Sequence, residues 1–370
     1  MPTKPRTAAG YEPAQVVHVR ATCLYVATRL GDLTDELVIV GGLVPSLIVD
    51  QTAAATRHVG TADLDVGLAL AVFDAKRYQA LTERLRQAGF APDTNDRGNL
   101  TRQRWSIDGP PRISVDFLVA PTDASERGGR LKSIQPDFAA IIAPGLTLAF
   151  LDRVRVPLDG QTIRGEHARR EVWVSGPGAF VAMKALAFRA RGENKDAYDL
   201  TYVLQNYKGR SRAVAQHLVP LRAAAEAAQA LQVLDEDFAA AGSLGPCRVA
   251  EFVHGRRDDA VEADAWGAVR DLIEELSTNA MPQAHLRAAI DHVGRTLARR
   301  FRRADIEALV TVLHHRRRQS DARHGSGDGV RSEEEATLSV LSECARGTRT
   351  KSPGDRALTA LRRLEAAYLR

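Results

Sequence analysis

Two aspartates, Asp63 and Asp65, stand two apart in the stretch ADLDVGLAL. In an extended strand alternate side chains share a face, so both carboxylates point the same way while Leu64, Val66, Leu68 and Leu70 fill the other face. Carboxylates held side by side repel unless a cation sits between them, and hard oxygen ligands suit Mg²⁺ held jointly by protein and phosphate. A third aspartate, Asp116, interrupts the apolar run RISVDFLVA, where an uncompensated carboxylate is costly. If that strand lies beside the first, three carboxylates converge, enough for two Mg²⁺ ions, one at an attacking hydroxyl and one at a triphosphate leaving group. The competing reading of Asp116 is a structural pair with an arginine such as Arg104 or Arg112. The opposite end of such a substrate is served by Gly41-Gly42, which ends the apolar run ELVIV and opens the helical stretch LVPSLIVDQTAA. Backbone N–H groups at a helix start bind phosphate oxygens, and glycine lets the backbone come close. The glycines belong to neither G-x-G-x-x-G nor a Walker A loop, which leaves out the dinucleotide-binding and P-loop classes.

These residues need a scaffold. Helical periodicity covers Pro13–Leu30, the stretch DAKRYQALTERLRQAGF, and PGAFVAMKALAFRAR followed by KDAYDLTYVLQNY. Alanine-rich helices follow from about Ser211 to Ala241, then two more over Asp264–Leu276 and Ala284–His315. Strands are expected at ELVIV, ADLDVGLAL, NLTRQRWSID, PRISVDFLVAP and REVWVSG, the third and fourth forming a hairpin around Gly109-Pro110. The expected fold class is α+β: a mixed sheet with flanking helices over 1–176, a helical domain over 177–318, and a polar linker with a helical tail over 319–370.

The 370 residues are 44% hydrophobic and 26% charged, ordinary for a globular chain. A net charge of +5 permits nucleic-acid contact without demanding it. Seven arginines between Arg299 and Arg318 could track an RNA backbone or form a solvated helix face. Three distant cysteines argue against a disulfide framework or a zinc site. No apolar run approaches the roughly 20 residues of a membrane span and no apolar leader is visible, so a cytoplasmic protein without membrane contact is expected.

Strand, Gly-Gly, helix, Asp-x-Asp and a later strand Asp together resemble the DNA polymerase β-like nucleotidyltransferase superfamily. Within it the pattern is most similar to the AbiEii-type toxins, which include the MenA-like nucleotidyltransferases. That group carries R…T-x-D-x-D after the glycines, here Arg57, Thr61, Asp63 and Asp65, with 20 residues (43 to 62) between Gly42 and Asp63. It also carries a helical Lys, a nearby Arg and a Lys-Asp-x-x-Asp-Leu block, here Lys184, Arg189, Lys195, Asp196 and Asp199. The resemblance covers about 38 to 205 and implies a polymerase β-like core that transfers an NMP from an NTP and releases pyrophosphate. It implies Asp63, Asp65 and Asp116 as metal ligands, with Lys184 and Asp196 in the catalytic set. Gly41, Gly42, Thr61, Lys184 and Arg189 would face the nucleotide. Lys184 would reach phosphate as a point charge, and Asp196 or Asp199, neighbours on one helix face, would orient it. The implied acceptor is RNA, a tRNA 3′ end, with growth arrest as the outcome and a cognate antitoxin as partner. The chain departs from the group where Gly42 replaces the usual serine, whose hydroxyl Thr61 or Ser46 would have to supply. Transfer to a small molecule such as an aminoglycoside, transfer to a protein hydroxyl, or an inactive fold acting as a binding partner are the alternatives. For Lys184 and Arg189 the plain alternative is an exposed helix face. For Asp196 and Asp199 it is a cap or an intrahelical pair, and for His58 a hydrogen-bonded surface histidine.

Overall fold

The computed structural model describes residues 5–69, 75–95, 97–108, 112–123 and 125–278, with a few positions between 336 and 363. Expectations placed on 279–318, the arginine-rich stretch included, and most of those on 319–370 therefore lie outside the described residues.

The chain opens with α1 (Pro13–Leu30), which runs into β1 (Leu37–Val40) and the short α2 (Val44–Ile48). β2 (Asp63–Leu68), α3 (Ala75–Gln87), β3 (Phe90–Thr94), β4 (Leu100–Ile107) and β5 (Ile113–Val119) follow. Next come β6 (Leu131–Gln135), β7 (Phe138–Ile142), α4 (Leu146–Leu151), β8 (Arg153–Gln161) and β9 (His167–Ser175). The rest is helical: α5 (Pro177–Arg191), α6 (Asn194–Asn206), α7 (Arg210–Leu218), α8 (Ala225–Asp237), α9 (Leu244–His254) and α10 (Asp259–Thr278). A mixed α/β half thus precedes a run of helices, as the change of periodicity near Gly176 predicts.

Among the described residues the nine strands form one mixed sheet, seven of them in the order β3-β4-β5-β2-β1-β9-β8 with β6 and β7 off this path. β1 is antiparallel to β2, and β2 is parallel to β5. β4 pairs with β5 up to Asp116, and β7, itself paired with β6, takes over at Leu118 and Val119. The apolar face of β2 and β5 is closed by large side chains: Phe117 packs on Phe138, which packs on Tyr78 of α3. Tyr25 of α1 packs against Phe90 and donates its hydroxyl to the carbonyl of Ala88. On the other face α4 covers the lower half of β2, where Gly67 leaves room for Leu146: a Cβ there would lie 2.7 Å from its Cδ1. The upper half of that face, left by α4, carries the aspartates.

The helix expected from LVPSLIVDQTAA is a single turn. It stops at Val49, which is extended, and Asp50 then accepts the backbone N–H and the hydroxyl of Thr52. A short acceptor side chain that captures local backbone N–H groups competes with helix continuation. No helix among the described residues is long and apolar enough to cross a membrane.

Candidate active site

The turn after β1 exists because only glycine fits it. Gly41 has φ +71°, the left-handed region, and a Cβ there would stand 1.8 Å from Asp65 Oδ2. A Cβ on Gly42 would lie 2.8 Å from Thr61 Oγ1 and 3.3 Å from Lys195 Nζ. The glycine pair, the Asp-x-Asp strand and Lys195 thus share one pocket, although 20 residues (43 to 62) separate Gly42 from Asp63. With α2 only five residues long, the turn presents the glycine backbone and Lys195 more than a helix dipole. Of the two candidate hydroxyls, that of Thr61 is at the turn and donates to Asp63 Oδ1 at 2.8 Å. Ser46 instead donates to the carbonyl of Leu43 at 2.8 Å.

Strand register assembles the carboxylates. Val40 is opposite Asp65, Asp65 is opposite Asp116, and Asp116 is opposite Arg104, a row across four neighbouring strands. Register partners project to the same face, so Asp65, Asp116 and Arg104 meet, with Asp63 two positions along. One carboxylate oxygen from each of Asp63, Asp65 and Asp116 lies within 4.8 Å of the others, a group that could hold a metal ion. The structural pairing of Asp116 with an arginine is present, because Arg104 donates Nε to its Oδ1 at 2.6 Å and Nη2 to its Oδ2. The same Nη2 is 3.8 Å from Asp63 Oδ2. The Asp116 hydrogen bonds raise the Arg104 pKa, so the guanidinium is a permanent charge. Arg112 goes elsewhere, to Asp93 at 2.5 Å and to Ser106.

A second layer, buried except at Arg191, stands behind the turn. Lys184 of α5 is 2.9 Å from Asp196 Oδ1 and 2.7 Å from Asp199 Oδ2, so both α6 carboxylates orient it. Lys195 Nζ lies 2.8 Å from Asp199 Oδ1. Arg191 closes the ring, its Nε 2.6 Å from Asp196 Oδ2 and its Nη2 2.8 Å from Oδ1. Burial opposes the charge on Lys184, but Asp196 and Asp199 outweigh it and its pKa is raised. Burial likewise opposes charge on Asp199, yet Lys184 and Lys195 hold it well below the usual carboxylate range. At Lys195 the balance reverses: burial outweighs Asp199 and the pKa falls below that of an ordinary lysine.

His58 is buried rather than a surface residue, with 7% of its area exposed. Its Nε2 lies 2.9 Å from Asp199 Oδ1, and its Nδ1 accepts the Gly60 N–H at 3.0 Å. A carboxylate can only accept, so the proton is on Nε2. Burial pushes the His58 pKa down to about 4, against the pull of Asp199, and the ring is neutral. It stacks on Tyr198 and meets Tyr202 edge-on, tying the connection before β2 to α6.

Arg189, expected at the nucleotide, is placed on another face. It is exposed and paired with Asp237 at 2.9 Å and Glu236 at 2.9 Å on α8. Five residues of helix rotate a side chain about 140° from the starting face, whereas seven bring it back to within about 20°. Lys184 and Arg191 therefore share a side, and Arg191 is the arginine that joins the site. Arg57 is exposed. The seven-residue spacing of Lys184 and Arg191 and the i, i+4 spacing of Lys195 and Asp199 were visible in the sequence. The link from His58 to Asp199 was not, since 141 residues separate the two.

Comparison with protein-family models, with curated proteins and with solved structures returned no match to this chain.

Proposed function

We propose that this chain is a metal-dependent nucleotidyltransferase. The observation that carries the reading is the shared pocket: three strand carboxylates within 4.8 Å of one another, against a left-handed glycine turn that a Cβ would block. Hard carboxylate oxygens suit Mg²⁺, which when bound draws charge from phosphate oxygens and assists departure of pyrophosphate. Asp63 and Asp65, with Asp116 beside them, are the residues that would hold it. The glycine N–H groups and Lys195 would take the triphosphate, and Lys184 keeps Asp199 and Asp196 in place around Lys195 and Arg191. The acceptor hydroxyl oxygen attacks the α-phosphorus, the bond to the β-phosphate bridging oxygen breaks, and pyrophosphate leaves with that electron pair. The acceptor proton passes to a carboxylate of the trio.

The resemblance to AbiEii-type toxins adds the acceptor, RNA and in particular a tRNA 3′ end, and with it a toxin role restrained by an antitoxin. Incubation with each labelled NTP, Mg²⁺ and total RNA tests both parts. Label should enter RNA, and Asp63→Ala should cut transfer by more than about a hundredfold, beyond the loss typical of a residue that only supports a metal ligand. Label entering a small molecule or protein instead would replace the acceptor. Transfer that survives Asp63→Ala would end the mechanism.

A further inference from the structure

We infer that Arg104 is the resident second cation of the carboxylate cluster, so that the site takes one divalent ion, on Asp63 and Asp65, rather than two. The inference rests on the metal part of the reading above.

Position comes first. Arg104 is the register partner of Asp116 on the adjacent antiparallel strand, so its side chain emerges on the carboxylate face. Its guanidinium grips Asp116 through Nε and Nη2, the two-pronged geometry that arginine makes with a carboxylate and lysine cannot. Nη2 also reaches within 3.8 Å of Asp63 Oδ2. The guanidinium therefore stands between Asp116 and Asp63, the space an ion bridging those two carboxylates would need. Mg²⁺ ligation demands oxygen about 2.0–2.1 Å from the ion, and both oxygens of Asp116 already accept hydrogen bonds.

Charge leads to the same count. The three carboxylates bring −3, and Arg104, which does not deprotonate, makes that cluster −2 before the neighbouring Lys195 and Arg191 are counted. One divalent ion neutralises it, while a second would leave surplus positive charge before any nucleotide arrives. Arg104 is also held in place. Its side chain is 16% exposed, and its carbonyl accepts the Thr101 hydroxyl at 2.9 Å. Leaving Asp116 would strand a carboxylate that is 5% exposed without its hydrogen-bonded counter-charge. The sequence-based expectation of two ions thus becomes one ion and one arginine.

Counting Mn²⁺ on the full chain tests this, with Mn²⁺ alone as the probe and electron paramagnetic resonance as the readout. The native protein should bind one Mn²⁺ with an uncoupled spectrum, and Asp63→Ala should bind none. Arg104→Gln should admit a second ion, and two ions about 3.5–4 Å apart give a spin-coupled spectrum. Arg104→Lys keeps a charge and should stay at one. Two coupled ions on the native protein overturn the inference, and that outcome needs no variant to fold. A single ion on a folded Arg104→Gln chain overturns it as well. Mn²⁺ binding indifferent to Asp63→Ala removes the metal site and this inference together. One Asp63-dependent ion on a chain that transfers no nucleotide leaves the inference standing and ends the transferase reading alone.

Discussion

A histidine held neutral inside a protein resists protonation, and His58 is such a group. Its folded pKa of about 4 lies below the 6.5 of an open chain, burial being the main cause. Above 6.5 the folded and unfolded chains are both neutral at this position and its contribution is whole. As pH falls from 6.5 to about 4 only the unfolded chain takes up the proton, so stability is lost progressively across that window. The loss from this group is on the order of 3 kcal/mol. His217 acts with the opposite sign: its pKa is raised, burial notwithstanding, by its hydrogen bond to Asp152, and its contribution fades as pH rises past 6.5. Urea unfolding at pH 7.5, 5.5 and 4.5 should show a steep decline for the native chain and a shallower one for His58→Gln. Equal slopes would mean that His58 titrates normally. No local pattern announced this residue, because its neutrality comes from burial among groups that include Tyr198 and Tyr202 of α6, against the pull of Asp199.

Two consecutive helices carry the buried charges, and their rotation about their own axes decides which residues meet. α5 turns a buried Lys184 and an exposed Arg191 toward α6, whose Asp196 and Asp199 receive them. Asp199 is completely buried and serves Lys184, Lys195 and His58 together. Asp199→Ala leaves two buried ammonium groups short of a shared carboxylate. That should destabilise the chain by roughly 3–5 kcal/mol, read as a fall in the urea midpoint at constant slope. A change under about 1 kcal/mol would show that water reaches the network freely. Helix positions were legible: the periodicity of Pro13–Leu30 and of PGAFVAMKALAFRAR matches α1 and α5 end to end. β8 was not foreseen. Its RVRVPLDGQ carries a proline mid-run, which argues against a central strand, but β8 is the last strand of the sheet order and an edge tolerates a missing N–H.

For the molecule as a whole, the change of pattern near Gly176 is a change of secondary structure and not of core. One cluster of buried apolar residues runs from Val19 of α1 to Leu276 of α10. Tyr11, ahead of α1, packs on Phe252 of α9, and α5 lies against α4 as well as α6. Residues 1–176 produced alone would expose the surfaces that α5 and α6 cover and lose the partners of His58 and Gly42. Such a fragment should fail to fold cooperatively, whereas 5–278 should unfold in one transition by both circular dichroism and tryptophan fluorescence. Two separated transitions would mark a domain boundary at 176.

Local chemistry was enough to place Asp63 and Asp65 on one face, to put glycine at the end of β1, and to mark α5 and α6 as helices. Each of these depends on a few neighbouring residues: the two-residue period of a strand, the left-handed turn, the 3.6-residue period of a helix. Tertiary structure decided the rest. Asp116 faces Asp65 because β2 and β5 pair in parallel at that register, and a slip of one residue would have turned Asp116 to the other side of the sheet. The same register gave Asp116 to Arg104 and left Arg112 to Asp93. Helix rotation chose Arg191 over Arg189. Register and rotation are set by packing between segments far apart in the chain, and that packing is what turned separate aspartates, glycines and lysines into one pocket.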